Sequence, residues 1–250
     1  MPQPGVHQVL DASIRETIQS LAHTIAQDAP PQNQLESPVV HEKRIQYELS
    51  QYTLYARKRC IDGFFSCFGV VKDLARADDQ INFTDLEQNV KTAFASFDTV
   101  AAAEELSTRA QEGASWKDLL GITDTSLQLL YRGAKHLIDS KSYPEAEAAF
   151  YFLTTIDYKQ SAFWLGLGHS AVQFGNHYQA INAYEMAQSC DPASCWPTIY
   201  IANCFERLND YEEVLQALEK AYAIYQNSVN ADPELGKSLQ ERIVNAKARC

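Results

Sequence analysis

The chain has 250 residues, 46% of them hydrophobic, with a formal net charge of −11 and a pI near 5.0. That length allows one large or two small domains with a real core. The acidic balance excludes the basic footprint that non-specific nucleic-acid binding needs, and the basic clusters that anchor proteins on membrane surfaces.

The opening MPQPGVHQVLDASIRE has no basic start followed by an apolar core, so no secretory signal is expected. The protein is expected to stay where it is made. Leu10, Ile14, Leu21 and Ile25 fall on one side at helical spacing and predict an amphipathic helix over 1–27. DAPPQNQLESP, Asp28–Pro38, reads as a linker over 28–38. Residues 39–113 then read as a helical N-terminal region.

Within that region, 39–78 is helical in pattern but holds Gly63 and Gly69 inside the apolar stretch Cys60–Val71, which predicts a break there. The stretch is too short to span a bilayer and carries Asp62, so no direct membrane insertion is expected. Thr84 or Asp85 is the expected cap of a further helix with the face Leu86, Val90, Phe94 and Phe97. An Ala/Glu-rich helix over roughly 99–111 follows, closed by Gly113. Phe64, Phe65, Phe68, Val70 and Val71 are too apolar to stay uncovered. This half is expected to be mostly helical, with part of it on the domain that follows. The first choice of cover is mutual packing of 39–78 with 84–111, and the second is a homodimer through the first helix. No run of alternating β-branched residues predicts a strand anywhere.

From about Ser126 three segments align at a fixed offset of 34 residues, the period of a helix–turn–helix tetratricopeptide repeat. The series are Ala146, Ala180, Val214; Phe150, Tyr184, Leu218; Leu153, Ala187, Ala221; Ala134, Gly168, Ala202; and Tyr143, His177, Tyr211. Small residues sit where paired helices press together, and the aromatics at 150 and 184 fill the gap toward the next unit. Asp157, Asp191 and Pro192 punctuate the turns between units. Thr198 and Leu130 depart from the pattern by standing where Trp is usual. A hairpin covers only one face of its neighbour, so several are needed, with a capping helix over roughly Pro233–Ala248. The expected fold is all-α: three helix pairs plus a cap over 114–250, preceded by the N-terminal helical region.

In this architecture the first helix of each pair lines the concave face. Counting units from Leu127, Ser161 and Cys195, the groove positions are Tyr131, Lys135 and Ile138; then Leu165, His169, Val172 and Gln173; then Trp196, Ile199 and Asn203, with Glu206 beyond. Tyr131 and Ile138 are seven apart and share a helix face, as do Leu165 and Val172. An aromatic and aliphatic set there calls for a partner to cover it.

Chemistry has little footing. The six cysteines form no Cys-x-x-Cys pair, and no His stands at zinc-finger spacing, so neither metal nor cofactor is expected. Cys190 and Cys195 straddle a turn, but reduced thiols are the expectation. His169 has no Ser or Cys nucleophile beside it, and no Gly-rich phosphate loop is present. An enzyme is not expected.

The motifs LLGI at 119–122, LLYRGA at 129–134, SYPEAEAAF at 142–150, FWLGLG at 163–168 and YQAINAYEMA at 178–187 resemble the translocator chaperones of bacterial type III secretion, the class II chaperones. Ile201–Ala221 resembles that family's third repeat. The resemblance covers about half the chain. It implies a chaperone of the bacterial cytoplasm, working without ATP, whose concave groove holds an extended translocator segment of Pro-x-Leu-x-x-Pro type. Tyr131, Tyr143 and Phe163 match aromatic positions of the family, whereas Ile138 stands where Tyr is frequent. The expected partner is a secreted translocator or effector bound through an extended apolar segment, with no nucleic acid. Met1–Gly113 is the departure, since the family's N-terminal helix is short.

Two other readings stand beside this one. A regulator or adaptor binding a needle or gatekeeper component would use similar groove chemistry. A co-chaperone reading an acidic tail would need Lys, Arg and Asn to clamp carboxylates where Tyr131, His169 and Trp196 stand.

Overall fold

The computed structural model describes residues 6–29, 37–78, 81–95, 105, 108–109, 112, 114–228 and 232–250. Among them eleven helices can be bounded and no strand occurs. The chain divides into two units, Met1–Ile61 with Gln80–Leu127, and Asp62–Asp79 with Gln128–Cys250.

The first unit holds α1 (Val6–Asp28), the start of α2 (Pro38–Ala77), α3 (Phe83–Ala95) and α4 (Trp116–Leu119). Among the described side chains of α1, Ile18 and Ala22 are buried, while Ile14 and Leu21 of the expected face are exposed; Leu10 of that face lies outside them. The small Ala22 permits close approach, and the larger Leu21 is left outside. Across from them α2 buries His41 and Ile45. The His41 ring nitrogen Nε2 lies 2.7 Å from the Ala29 carbonyl, tying α2 to the end of α1. The cap of α3 is Asn82, whose Oδ1 accepts from the Asp85 N–H at 3.4 Å, rather than Thr84 or Asp85 themselves. Leu86 is fully buried, and Asn89 donates to Ser126 Oγ at 2.8 Å. Phe97 and most of the helix expected over 99–111 lie outside the described residues.

The second unit holds the repeats. They are α5 (Asp124–Asp139) with α6 (Tyr143–Ile156), α7 (Ser161–Gln173) with α8 (His177–Cys190), and α9 (Trp196–Leu208) with α10 (Tyr211–Gln226). The cap α11 (Pro233–Lys247) follows. Ala134, Ala146, Ala180, Ala202 and Val214 are buried, as the series requires. Leu130 and Thr198, which stand in for Trp, are buried too, and the Thr198 hydroxyl donates to Gln188 Oε1 at 2.7 Å.

The turn inside each pair has one recurring geometry. Lys141, Gly175 and Asn209 stand 34 residues apart, and all three take left-handed backbone angles, with φ of 62°, 72° and 59°. The residue after each is the N-cap of the second helix: Ser142, Asn176 and Asp210. Asn176 and Asp210 accept from the backbone N–H three residues on.

The expected break near Gly63 is absent, and α2 runs unbroken from Pro38 to Ala77. The glycine serves packing instead. A side chain at Gly63 would overlap the backbone carbonyl of Ala148 on α6. A Cβ on Gly133 would lie 2.9 Å from the Cys67 carbonyl oxygen of α2. Cys67 and Val71 are buried, and the Phe64 ring meets Phe152 edge to face at 5.5 Å. From Gly63 on, the apolar stretch packs on the first repeat pair, while most of the second half of 84–111, the segment first expected to cover it, lies outside the described residues. Phe65 alone of the phenylalanine cluster is largely exposed.

Candidate functional site

The repeat core explains where the expected groove residues end up. In FWLGLG, a side chain at Gly166 would overlap the Phe150 ring, and a Cβ at Gly168 would lie 2.5 Å from the Tyr184 ring. Each aromatic from one second helix thus lies against a glycine of α7. That stacking brings Tyr131 of α5 next to Phe163 of α7, with ring centroids 5.5 Å apart, and 6.1 Å from Phe150.

Tyr131, Ile138, Leu165 and Val172 are each half-buried. Leu165 and Val172 pack their inner sides on the core around Ala171, Tyr184 and Ala202. Lys135, His169 and Gln173 are exposed beside them. Trp196 is exposed, its ring 6.2 Å from that of Tyr200, which in turn lies 5.3 Å from Tyr184. Asn203 is half-buried and accepts from Arg242 of α11 at 2.7 Å. The same guanidinium pairs with Glu206 at 2.9 Å.

One expected groove residue is not available to a partner. Ile199 is 5% exposed and belongs to the core with Tyr184, Ala202 and Leu218. The open edge of α9 runs through Trp196, Tyr200 and Asn203, at the i, i+4, i+7 spacing of a helix stripe. Sequence reasoning missed Tyr200. Its signal was the aromatic pair with Trp196 four residues earlier.

No disulfide joins the six cysteines. Burial pushes Cys204 up to about 11 and raises Cys67, Cys190 and Cys195 above the ordinary thiol value, with Asp157 adding to the rise at Cys190. Thiols held protonated are poor nucleophiles and poor metal ligands. Among the described residues no three or more His, Cys, Asp or Glu side chains group so as to hold a metal ion. No described helix is long and apolar enough to cross a membrane. What the surface offers is a set of half-covered aromatic and aliphatic side chains with polar neighbours.

No family model and no curated protein matches this chain. Solved structures do. A chain of a type III secretion complex from Aeromonas hydrophila is similar with a TM-score of 0.54 at 20% identity, over 58% of this chain and 97% of its own. The Yersinia enterocolitica translocator chaperone SycD is similar at 0.49 and 23% identity, over 53% of this chain and 98% of its own. PcrH of Pseudomonas aeruginosa, solved with the chaperone binding region of PopD, is similar at 0.48 and 20%, over 52% and 96%. The helical fold expected from the residue motifs is thus the fold that this chain shares with the Aeromonas type III secretion protein.

Proposed function

We propose that this protein is a chaperone of bacterial type III secretion, working in the cytoplasm, which holds an extended apolar segment of a translocator or related export substrate. The carrying observation is the run of part-exposed apolar side chains on the three first helices: Tyr131, Ile138, Leu165, Val172 and Trp196. The shared fold with a type III secretion protein supports the same reading.

The physics of such binding is straightforward. An extended segment presents apolar side chains at intervals, and pockets between first helices receive them. Prolines in the segment reduce the entropy lost on binding. Lys135, His169, Gln173 and Asn203 are the polar groups placed to meet its backbone. Covering the segment keeps a membrane-inserting sequence from aggregating before export, and no covalent step is needed.

Co-expression with the host's translocators and needle components tests the identity of the cargo. A hydrophobic translocator should co-purify. Capture of a needle or gatekeeper component alone would select the adaptor reading instead. For the surface, Tyr131→Ala and Leu165→Asp should each weaken cargo binding at least tenfold while leaving the helical circular dichroism signal nearly unchanged. Wild-type affinity in both variants would remove the groove from the proposal.

A further inference from the structure

In the repeat unit a recess of about 250 Å³ opens between α9, α10 and α11. Its floor is Val214 of α10 and Ala246 of α11, both buried. Arg242, Asn245 and Arg249 stand at the three- and four-residue spacing of one helix face and line it together with Glu206 and Tyr211. Both guanidiniums are held in place. Arg242 Nη2 donates to Asn203 Oδ1 at 2.7 Å and to Glu206 Oε1 at 2.9 Å. Arg249 stands over the Tyr211 ring, 5.1 Å from its centroid, and its Nη1 donates to the Tyr211 hydroxyl at 2.9 Å.

These bonds leave donors over. Among the described residues, Arg242 keeps Nε and Nη1, Arg249 keeps Nε and Nη2, and the Tyr211 hydroxyl keeps its proton to give. No described carboxylate pairs with Arg249, although Asp and Glu outnumber Lys and Arg 32 to 21 in the chain. Two guanidiniums against the one carboxylate of Glu206 leave the recess a single positive charge. That matches a carboxylate, which a planar guanidinium holds through two parallel N–H donors. A phosphate brings nearly two negative charges to walls that already include Glu206, and fits less well. The recess adjoins the open edge of α9. Asn203, held by Arg242, is the last member of the stripe Trp196, Tyr200, Asn203.

We infer that the recess between α9, α10 and α11 is a carboxylate-binding site, and that its ligand is an Asp or Glu side chain of the segment held in the groove. The second half rests on the proposed chaperone reading, which sets where the segment runs. It adds one negative charge, at the end over the third repeat, to the apolar side chains that the cargo must carry. Arg249 and the Tyr211 hydroxyl meet the carboxylate, and Arg242 divides its donors between that carboxylate and Glu206.

Two probes applied to the full chain test the two halves separately. The first is N-acetylglutamate methylamide, with N-acetylglutamine methylamide and inorganic phosphate as comparisons, followed by NMR at the Arg249 Nε–H and the Asn245 side-chain amide. The glutamate compound should give saturable shifts at both groups, and the glutamine compound none. Arg249→Gln, at an exposed position where the fold should be untouched, should abolish the shifts, whereas Tyr131→Ala should leave them unchanged. No shift with glutamate, equal shifts with glutamine, or tighter binding of phosphate would overturn the site. The second probe is a pair of capped Pro-x-Leu-x-x-Pro peptides with alanine at x, one with Glu before the motif and one with Glu after it, each measured by calorimetry against its Gln counterpart. In one of the two orders Glu should bind about fivefold tighter than Gln, as a partly exposed ion pair allows. Arg249→Gln should erase that ratio, while Tyr131→Ala should weaken both members and preserve it. Equal binding of Glu and Gln in both orders would overturn the cargo assignment. Should no peptide bind while the glutamate compound still shifts Arg249, the groove reading falls, the carboxylate site stands, and its ligand is a small carboxylic acid instead of cargo.

Discussion

At Gly168 the Tyr184 ring fills the space that any side chain would need, and at Gly166 the Phe150 ring does the same. Gly168→Leu should therefore separate α7 from α8. Overpacking of this kind costs about 1–3 kcal/mol, and the buried Tyr184 ring in the way puts the expectation at or above that range. A drop of several degrees in melting temperature is the readout. The two α2 glycines make a sharper pair, because they sit six residues apart in one helix with opposite surroundings. Gly63→Ala should destabilise, since the added carbon meets backbone, while Gly69 has nothing within 4 Å of its side-chain position. Gly69→Ala should stabilise by about 0.5–1 kcal/mol through helix propensity alone. Thermal unfolding that moved both variants the same way would contradict the close approach at Gly63. The sequence could not separate these two glycines. Each looks like a helix breaker in a one-dimensional pattern, and only the neighbouring helix reveals that one is a contact.

Among the elements, the repeats were legible and α2 was not. A 34-residue period repeats every packing requirement three times, so chance agreement at one position matters little. The departures at Leu130 and Thr198 were absorbed because both are buried and, at Thr198, hydrogen-bonded. A lone helix has no such redundancy. The apolar stretch of α2 gave no direction for its partner, and Ile199 shows the same weakness within the groove, where one helix position decides between core and surface. The turns offer a test at this scale. Lys141 adopts the left-handed conformation that Gly175 occupies in the next repeat. A side chain there costs about 1–2 kcal/mol, partly offset by the entropy a glycine loses on folding. Lys141→Gly should raise stability by up to about 1 kcal/mol, or about 2–4 °C in melting temperature. Gly175→Lys should do the reverse.

At the scale of the molecule, the buried thiols report on the integrity of the second unit. Cys67 and Cys204 are buried and Cys250 is exposed. Alkylation of the folded protein should label Cys250 first, and Cys67 and Cys204 only as the unit opens, detectable by peptide mass. The same groups set a pH dependence. Above the ordinary thiol value of 9.0 the unfolded chain releases protons that the folded chain keeps at Cys67 and Cys204. Stability should fall as pH rises past about 9, with Tyr184, also raised by burial, adding to the loss above 10. Chemical denaturation at pH 8 and 10 measures this, and a midpoint unchanged between them would contradict the assignment.

The seat of Asp62–Ala77 on α5 and α6 changes where this protein can be cut. The repeats alone suggest starting a shortened chain at Ala114. Such a chain would lack the helix that fills the contact at Gly133, Ala148 and Phe152, and would leave that apolar surface to water. Exposed surface of this kind drives aggregation. Expression beginning at Ala114 should give insoluble or polydisperse material. Co-expressing residues 62–79 as a separate polypeptide should return it to solution, because the missing cover is a helix that needs no covalent link to find its place.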